Sequence, residues 1–206
     1  MGFFQPGNGG EPPMDKALAC LGLFLSILIC SCASKPVDPK DLPAESQNDV
    51  AATRWSYAEN GLVMELASTD TLNLFEGAPH TLLLCVYELS GREGFEALAQ
   101  TRSGIDKLLE CTNFDPSVVM SRRRIAHPGA TESVVMDRHE NARYLGIVGG
   151  FYNLTPARAT MLKAIPLVEE HDGALWWSKR SFQPAVLNMR LELGADGFRP
   201  LPAQEK

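Results

Sequence analysis

From Trp55 onward, apolar side chains return at every second position in short segments separated by turn residues. A period of two sends alternate side chains to opposite faces of an extended backbone, so each segment reads as a strand with one buried face. Leu62, Met64 and Leu66 alternate with Val63 and Glu65, and Leu187, Met189, Leu191 and Leu193 alternate with Asn188, Arg190 and Glu192. Residues 81–89 (TLLLCVYEL) are apolar on both parities, as expected of a central strand covered on both sides. Further strands are predicted over residues 117–127, 131–137, 143–152, 160–168 and 184–193, with turns at Pro128-Gly129, residues 137–141 and residues 153–156. Between the second and third strands the period changes. Phe95, Leu98 and Ala99, then Ile105, Leu108 and Leu109, recur at three- and four-residue steps around Gly104, which predicts one or two short helices across the end or side of a sheet. Many short strands with regular turns in a chain of this size predict a mainly β sandwich or barrel.

Gly146, Gly149 and Gly150 fall within one predicted strand and point to a bend or to close approach of another backbone. They are no phosphate loop, because neither GxGxxG nor GxxxxGK spacing is present and no helix follows.

The front of the chain is of a different kind. Residues 17–29 form an apolar run that ends in Ile29-Cys30-Ser31-Cys32, and polar sequence follows at once. The run has the length of a signal-peptide core and is too short to span a bilayer comfortably. A small residue before a cysteine at that junction resembles a bacterial lipobox, in which the thiol receives a diacylglyceryl group and cleavage leaves the cysteine as residue one. Residues 1–31 are therefore expected to be a signal peptide and Cys32 the lipidated N-terminus. Several acyl chains, at roughly 0.8 kcal/mol per buried CH2, make a stable anchor where one is marginal. Residues 1–13 are Gly/Pro-rich and polar, so Met14-Asp15-Lys16 reads as the true start. After Cys32 come Ala33 and Ser34, with no Asp beside the lipidated residue, which in the lipoprotein sorting rule favours the outer membrane. Residues 32–54 read as a lipidated end and flexible linker. Pro36, Pro39, Pro43 and polar neighbours are expected to bury nothing there, and at about 3 Å per residue such a chain would hold the domain of residues 55–206 tens of Å from the membrane.

The formal charge is −6, and processing removes Glu11, Asp15 and Lys16 to leave −5, a balance with no field for wrapping nucleic acid. The one basic run, Arg122-Arg123-Arg124, is expected on the outer face and edge of a strand, where charge deters edge-to-edge pairing. Of five cysteines, Cys20 and Cys30 leave with the signal and Cys32 is consumed by lipid. Cys85 and Cys111 remain in an oxidising compartment and are expected to be paired, the alternative being two free buried thiols. No CxxC or HExxH spacing and no GxSxG occurs, and His80, His127, His139 and His171 are scattered singly. Asp137-Arg138-His139-Glu140 crowds acid, base and imidazole, but in a predicted hairpin turn, where it reads as solvated rather than catalytic. No catalytic, metal or cofactor site is expected. A binding or structural role is.

Several segments together carry a family resemblance. Trp55-Ser56-Tyr57 precedes the first strand. Leu72-Asn73-Leu74-Phe75-Glu76-Gly77-Ala78-Pro79-His80 runs into the second, and Leu108-Leu109-Glu110-Cys111, Phe114-Asp115-Pro116-Ser117-Val118 and the segment ARYLGIVGGFY at 142–152 follow. In this order behind a lipobox they resemble TssJ, the outer-membrane lipoprotein family of the type VI secretion system. The resemblance implies a transthyretin-like two-sheet β-sandwich with one or two added helices, and no enzymatic activity. It also implies an anchor in the inner leaflet of the outer membrane and a partner, the periplasmic C-terminal domain of the inner-membrane protein TssM. The implied partner contact is the loop between the first two strands, here residues 68–79, with Asp70, Leu72, Asn73, Leu74 and Phe75 as the contact residues. Apolar side chains on such a loop are either tucked over the core or exposed as interface anchors; the loop at 153–159 is the alternative contact. The competing class is a lipoprotein carrying a small hydrophobic ligand inside the sandwich. A third class, a periplasmic hydrolase, would need a convergent acid/base site.

Overall fold

In the computed structural model, which describes residues 1–3, 34–172 and 179–202, strand β1 (Ala58–Ser68) lies between two partners of opposite sense. It pairs antiparallel with β4 (Thr131–Arg138), setting Leu62 against Met136, and parallel with β9 (Leu187–Leu193), setting Leu62 against Leu187. With β10 (Phe198–Leu201) beyond β9, the first sheet has the order β10-β9-β1-β4. The alternation read from the sequence is what buries it: Leu62, Met64 and Leu66 of β1, Val134 and Met136 of β4, and Leu187, Leu191 and Leu193 of β9 all point inward. Each such side chain contributes about 1.5–3 kcal/mol when fully buried. Cys32 and residues 4–31 of the expected signal peptide lie outside the described residues.

The second sheet has the order β3-β2-β5-β6, from β3 (Val118–Ala126), β2 (Leu82–Leu89), β5 (Tyr144–Gly149) and β6 (Thr160–Ala164). Both faces of β2 are covered, as its unbroken apolar run requires. Leu84 and Val86 face the first sheet. Tyr87 and Cys85 face α2 (Glu93–Ala99) and α3 (Arg102–Leu108), and the buried Tyr87 hydroxyl donates to the Leu108 carbonyl at 2.5 Å. The result is the expected two-sheet sandwich with helices against one outer face. The glycines of β5 answer to aromatic rings rather than to backbone. A Cβ on Gly146 would sit 2.8 Å from the Phe95 ring, and one on Gly149 would meet the Phe151 and Phe198 rings at 2.7 and 2.8 Å.

Several expectations need correction. The turns after β3 and β4 close no hairpins, since each carries the chain from one sheet to the other. The segment at 160–168 is two strands. Pro166 has no N–H for the ladder, so β6 ends before it and β7 (Leu167–Asp172) leaves to pair with β8 (Lys179–Pro184) as a separate hairpin. Pro184 likewise ends β8 rather than starting β9.

The largest correction concerns residues 35–53, which are not an extended linker. Val37 exchanges two backbone hydrogen bonds with Leu167, each 2.8 Å. Tight helical turns at Pro39–Asp41 and Ala44–Ser46 lead into α1 (Gln47–Ala51). Leu42 and Val50 pack on the core, and the buried Ser46 hydroxyl accepts from Arg180 at 3.2 Å. Proline content read as an open chain here, but Val37 bonds to β7, and Ser46 and α1 lie against β8, partners more than a hundred residues away in sequence.

Strand direction gives the sandwich two distinct ends. The connections after β1, β3, β5 and β9 meet at one end. The Val37–Leu167 bridge, the turn after β2 and the crossing from β4 to β5 meet at the other.

Candidate interaction surface at the loop end of the sandwich

The connection from β1 to β2 is held to its neighbours by its own main chain. Thr69 N–H donates to Leu193 O at 3.0 Å, Asn73 N–H to Gly194 O at 3.1 Å and Leu74 N–H to Ala195 O at 2.9 Å. Phe75 and Ala78 exchange hydrogen bonds of 3.0 Å across Glu76 and Gly77, whose φ values are both positive, +50° and +79°. This is the backbone of a tight two-residue hairpin turn, which asks for glycine or a residue tolerant of that region.

Asn73 is the keystone of the loop. Its φ of +48° lies in the left-handed region that Asn enters more readily than most residues. Its side chain is 2 % exposed and bonded at both polar atoms: Nδ2 donates to Thr81 O at 2.9 Å and Oδ1 accepts from Tyr152 N–H at 2.8 Å. One buried amide thus fastens the β1–β2 loop to the chain leaving β5. Asn153 repeats the link from the other side, donating to Leu74 O at 3.1 Å.

The two loops named separately from the sequence therefore form one surface. Phe75 and Tyr152 stack at 4.7 Å between ring centroids with 20° between planes, and His80 meets Tyr152 edge-on at 4.9 Å. Phe75 is 39 % exposed and Tyr152 51 %. Among the five loop residues expected as contacts, the structure separates roles. Leu72 is wholly inside the core and Asn73 is buried in its hydrogen bonds, so neither offers a side chain to a partner. Leu74 is half-buried, and Phe75 and Asp70 are exposed. Tyr152 and His80 were not among the expected contacts, although with Phe151 buried alternation sends Tyr152 to the outer face.

Cys85 and Cys111 are joined as a disulfide with their Cα atoms 5.2 Å apart, which ties the end of α3 to the middle of β2. The residues at 137–140 are less solvated than a turn suggests. Arg138 continues the inward parity of Val134 and Met136 and is buried, its guanidinium 5.8 Å from the Trp55 ring centroid. Burial pushes the Arg138 pKa down, partly countered by the Glu88 carboxylate. Glu88, 1 % exposed, accepts from the His139 backbone N–H at 2.7 Å and lies 3.0 Å from His139 Nδ1. A carboxylate-held imidazole is also the base half of a nucleophilic triad. Among the described residues, however, no hydroxyl or thiol is hydrogen-bonded to this ring, and its aromatic neighbour is Tyr57, edge-on at 6.2 Å. The pair binds the β4–β5 crossing to β2.

A groove of about 570 Å³ opens between α2 and β6, bordered by Phe95, Ala99, Pro156 and Met161. It lies outside the sandwich, whereas a carrier of the kind considered above would need its cavity between the sheets, where Leu62, Met64, Leu84 and Val86 are packed.

Comparison with known proteins agrees with this geometry. Likenesses among solved structures include a chain described as the T6SS protein TssM C-terminal domain from EAEC, with TM-score 0.51 and 13% identity over 69% of this chain and 98% of that one. A chain described as a type VI membrane complex gives TM-score 0.50 and 14% identity, over 68% of this chain and 97% of that one. Lip of Serratia marcescens, described as a membrane-bound component of the type VI secretion system, gives TM-score 0.50 and 18% identity, over 68% and 96%. At such identities these likenesses carry the fold alone. No curated protein sequence matches significantly. The model of the family described as type VI secretion lipoprotein (T6SS-SciN; VasD, EvfM, TssJ) matches residues 61–195, more than half of the chain. The chain belongs to the type VI secretion lipoprotein family, that of TssJ.

Proposed function

We propose that the chain is a non-enzymatic adaptor, anchored through an acylated Cys32 in the outer membrane, that grips the periplasmic C-terminal domain of TssM with the Phe75–Tyr152 surface. The observation that carries the partner site is an exposed aromatic stack fixed by a buried amide. Phe75 and Tyr152 are half or nearly half exposed, yet Asn73 and Asn153 hold the loops beneath them in one arrangement. Large aromatic surface that is already ordered loses little conformational freedom on binding, and such residues are enriched among those that carry interface energy. Membership of the secretion lipoprotein family supports the anchor and a place in the secretion machinery.

The test is capture of the TssM periplasmic domain by the purified mature chain without lipid. Phe75→Ala and Tyr152→Ala should each weaken capture by roughly tenfold or more, the scale of an interface anchor. Leu74→Ala and Asp70→Lys should weaken it less. Circular dichroism checks that each variant is folded. Full binding by folded Phe75→Ala and Tyr152→Ala would move the interface away from this end of the sandwich.

A further inference from the structure

The docked segment before β1 is held far more lightly than the sandwich it lies on. We propose that residues 34–53 form a releasable strap, which leaves the domain as a unit when its N-terminal end is pulled and docks again when the pull ends. The sandwich stays folded throughout. Release depends only on the contacts described below; tension from the membrane as its cause rests on the reading of Cys32 as the acylated N-terminus.

The seam between strap and body is thin. Among the described residues, three hydrogen bonds cross it: the two between Val37 and Leu167 and the one from Arg180 to Ser46. The strap's other bonds are its own, such as Asp41 N–H to Asp38 O and Thr53 N–H to Val50 O. No ion pair among the described residues crosses the seam, and Lys40 pairs with Asp38 inside the strap. Val37, Leu42 and Val50 are only half-buried, and the buried Ser46 and Thr53 are polar. Two clefts, of about 460 and 190 Å³, run along the seam, with Pro39, Gln47 and Val50 on one wall and Tyr144 and Ala164 on the other. Facing walls that do not meet forgo the dispersion contacts of a close-packed interior. A segment with few buried apolar contacts opens at a small fraction of the free energy that unfolds the core.

Release has a defined stop. Along the described chain, the fully buried apolar side chains begin at Trp55. Its carbonyl accepts from the Asn141 N–H at 2.7 Å, and its ring centroid lies 5.8 and 5.9 Å from the Arg138 and Arg143 guanidinium carbons. With the strap docked, five residue steps separate Cys32 from its first fixed point, Val37, a reach of about 17 Å. With the strap released, the first fixed point is Trp55, 23 steps away, and the reach is about 75 Å. The strap thus gives the anchor a short and a long setting without loss of the partner-binding fold.

Hydrogen exchange on the acylated mature chain reads the docked equilibrium. The amides of Val37 and α1 should exchange at least tenfold faster than the paired amides of β1. Leu42→Asp combined with Val50→Asp should bring them to free-chain rates and leave the urea midpoint of the sandwich unchanged. Strap amides as slow as those of β1, or a midpoint clearly lowered by the double substitution, would overturn the proposal. Force on a single molecule reads the release. In the unacylated mature chain the Cys32 thiol is free while Cys85 is bonded to Cys111, so Cys32 and an exposed His127→Cys take the two handles. A reversible lengthening of up to about 60 Å, the 18 steps from Val37 to Trp55, should precede unfolding of the sandwich. Strap and sandwich giving way in one step would overturn the proposal. Both force outcomes are independent of acylation, which mass spectrometry of residue 32 decides separately.

Discussion

Phe75 and Tyr152, 77 positions apart in the chain, stack with their ring centroids 4.7 Å apart on an exposed face. Because the rings touch, their contributions to partner binding should not add. In a double-mutant cycle, the combined Phe75→Ala/Tyr152→Ala loss should differ from the sum of the single losses by about 0.5–1.5 kcal/mol, the range for an aromatic pair. Calorimetric titration with the TssM domain gives all four affinities. Strict additivity would show that partner binding does not use the stack as a unit.

Asn73 should matter for stability before it matters for contact. Asn73→Ala leaves the Tyr152 N–H and the Thr81 carbonyl without their partner and places Ala at a φ of +48°. A loss of about 1–3 kcal/mol is expected from the hydrogen bonds, read as a lower urea midpoint with unchanged m. Binding should fall as well, although the side chain is buried, because Tyr152 loses its anchor.

The disulfide closes a sequence separation of 26 residues that contains both α2 and α3. Cys85→Ser with Cys111→Ser should cost about 3 kcal/mol, chiefly by freeing the unfolded chain. Alkylation of the denatured, unreduced wild-type domain of residues 33–206 should find no free thiol. Two alkylated cysteines would remove the bridge from the account.

Acid should loosen the start of β1. The Tyr57 hydroxyl donates to Asp137 Oδ2 at 2.5 Å and the Asn60 N–H to Oδ1 at 3.0 Å, and these bonds hold the Asp137 carboxyl below its ordinary range. Glu65 is lowered in the same sense by its hydrogen bond from Arg190. A carboxyl with a depressed folded pKa stabilises fully above its unfolded value, about pH 4, and loses that contribution as pH falls through the folded one. The thermal midpoint should therefore fall as the pH drops below about 4. Asp137→Asn should lower stability at neutral pH and flatten part of that acid slope.

Labelled palmitate should enter the wild-type chain and not Cys32→Ser, and the wild type should fractionate with the outer membrane. The substitution should also abolish secretion, since a released adaptor transmits no force to the membrane. A soluble, unlabelled wild type would sink the anchor.

Strand and helix identity was legible wherever one face is buried. The period of two in β1 and β9 and the three- and four-residue steps at Phe95, Leu98 and Ile105 are imprints of a single dry side, and each segment carries its own imprint. Proline marked the breaks less clearly. Pro166 and Pro184 end strands that alternation alone would have continued, because a missing donor matters only once the neighbouring strand is known.

Pairings over long separations were decided elsewhere. Nothing local to residues 35–53 announces that Val37 will bond to Leu167, nor that Leu42 and Val50 will find the core. Buried polar groups show the same division. Glu88 sits in an apolar strand and His139 in a polar turn, and only the meeting of the two sheets supplies each with the other. By itself the sequence determined a β-sandwich of this family behind a lipobox-like junction, since periodicity and short motifs act over a few residues. The tertiary structure decided that Leu72 and Asn73 face inward, that Phe75 and Tyr152 share one surface, and that the presumed linker is docked. Those outcomes depend on which distant backbone groups and apolar surfaces are available to satisfy each side chain, and that is settled only when the sheets pack.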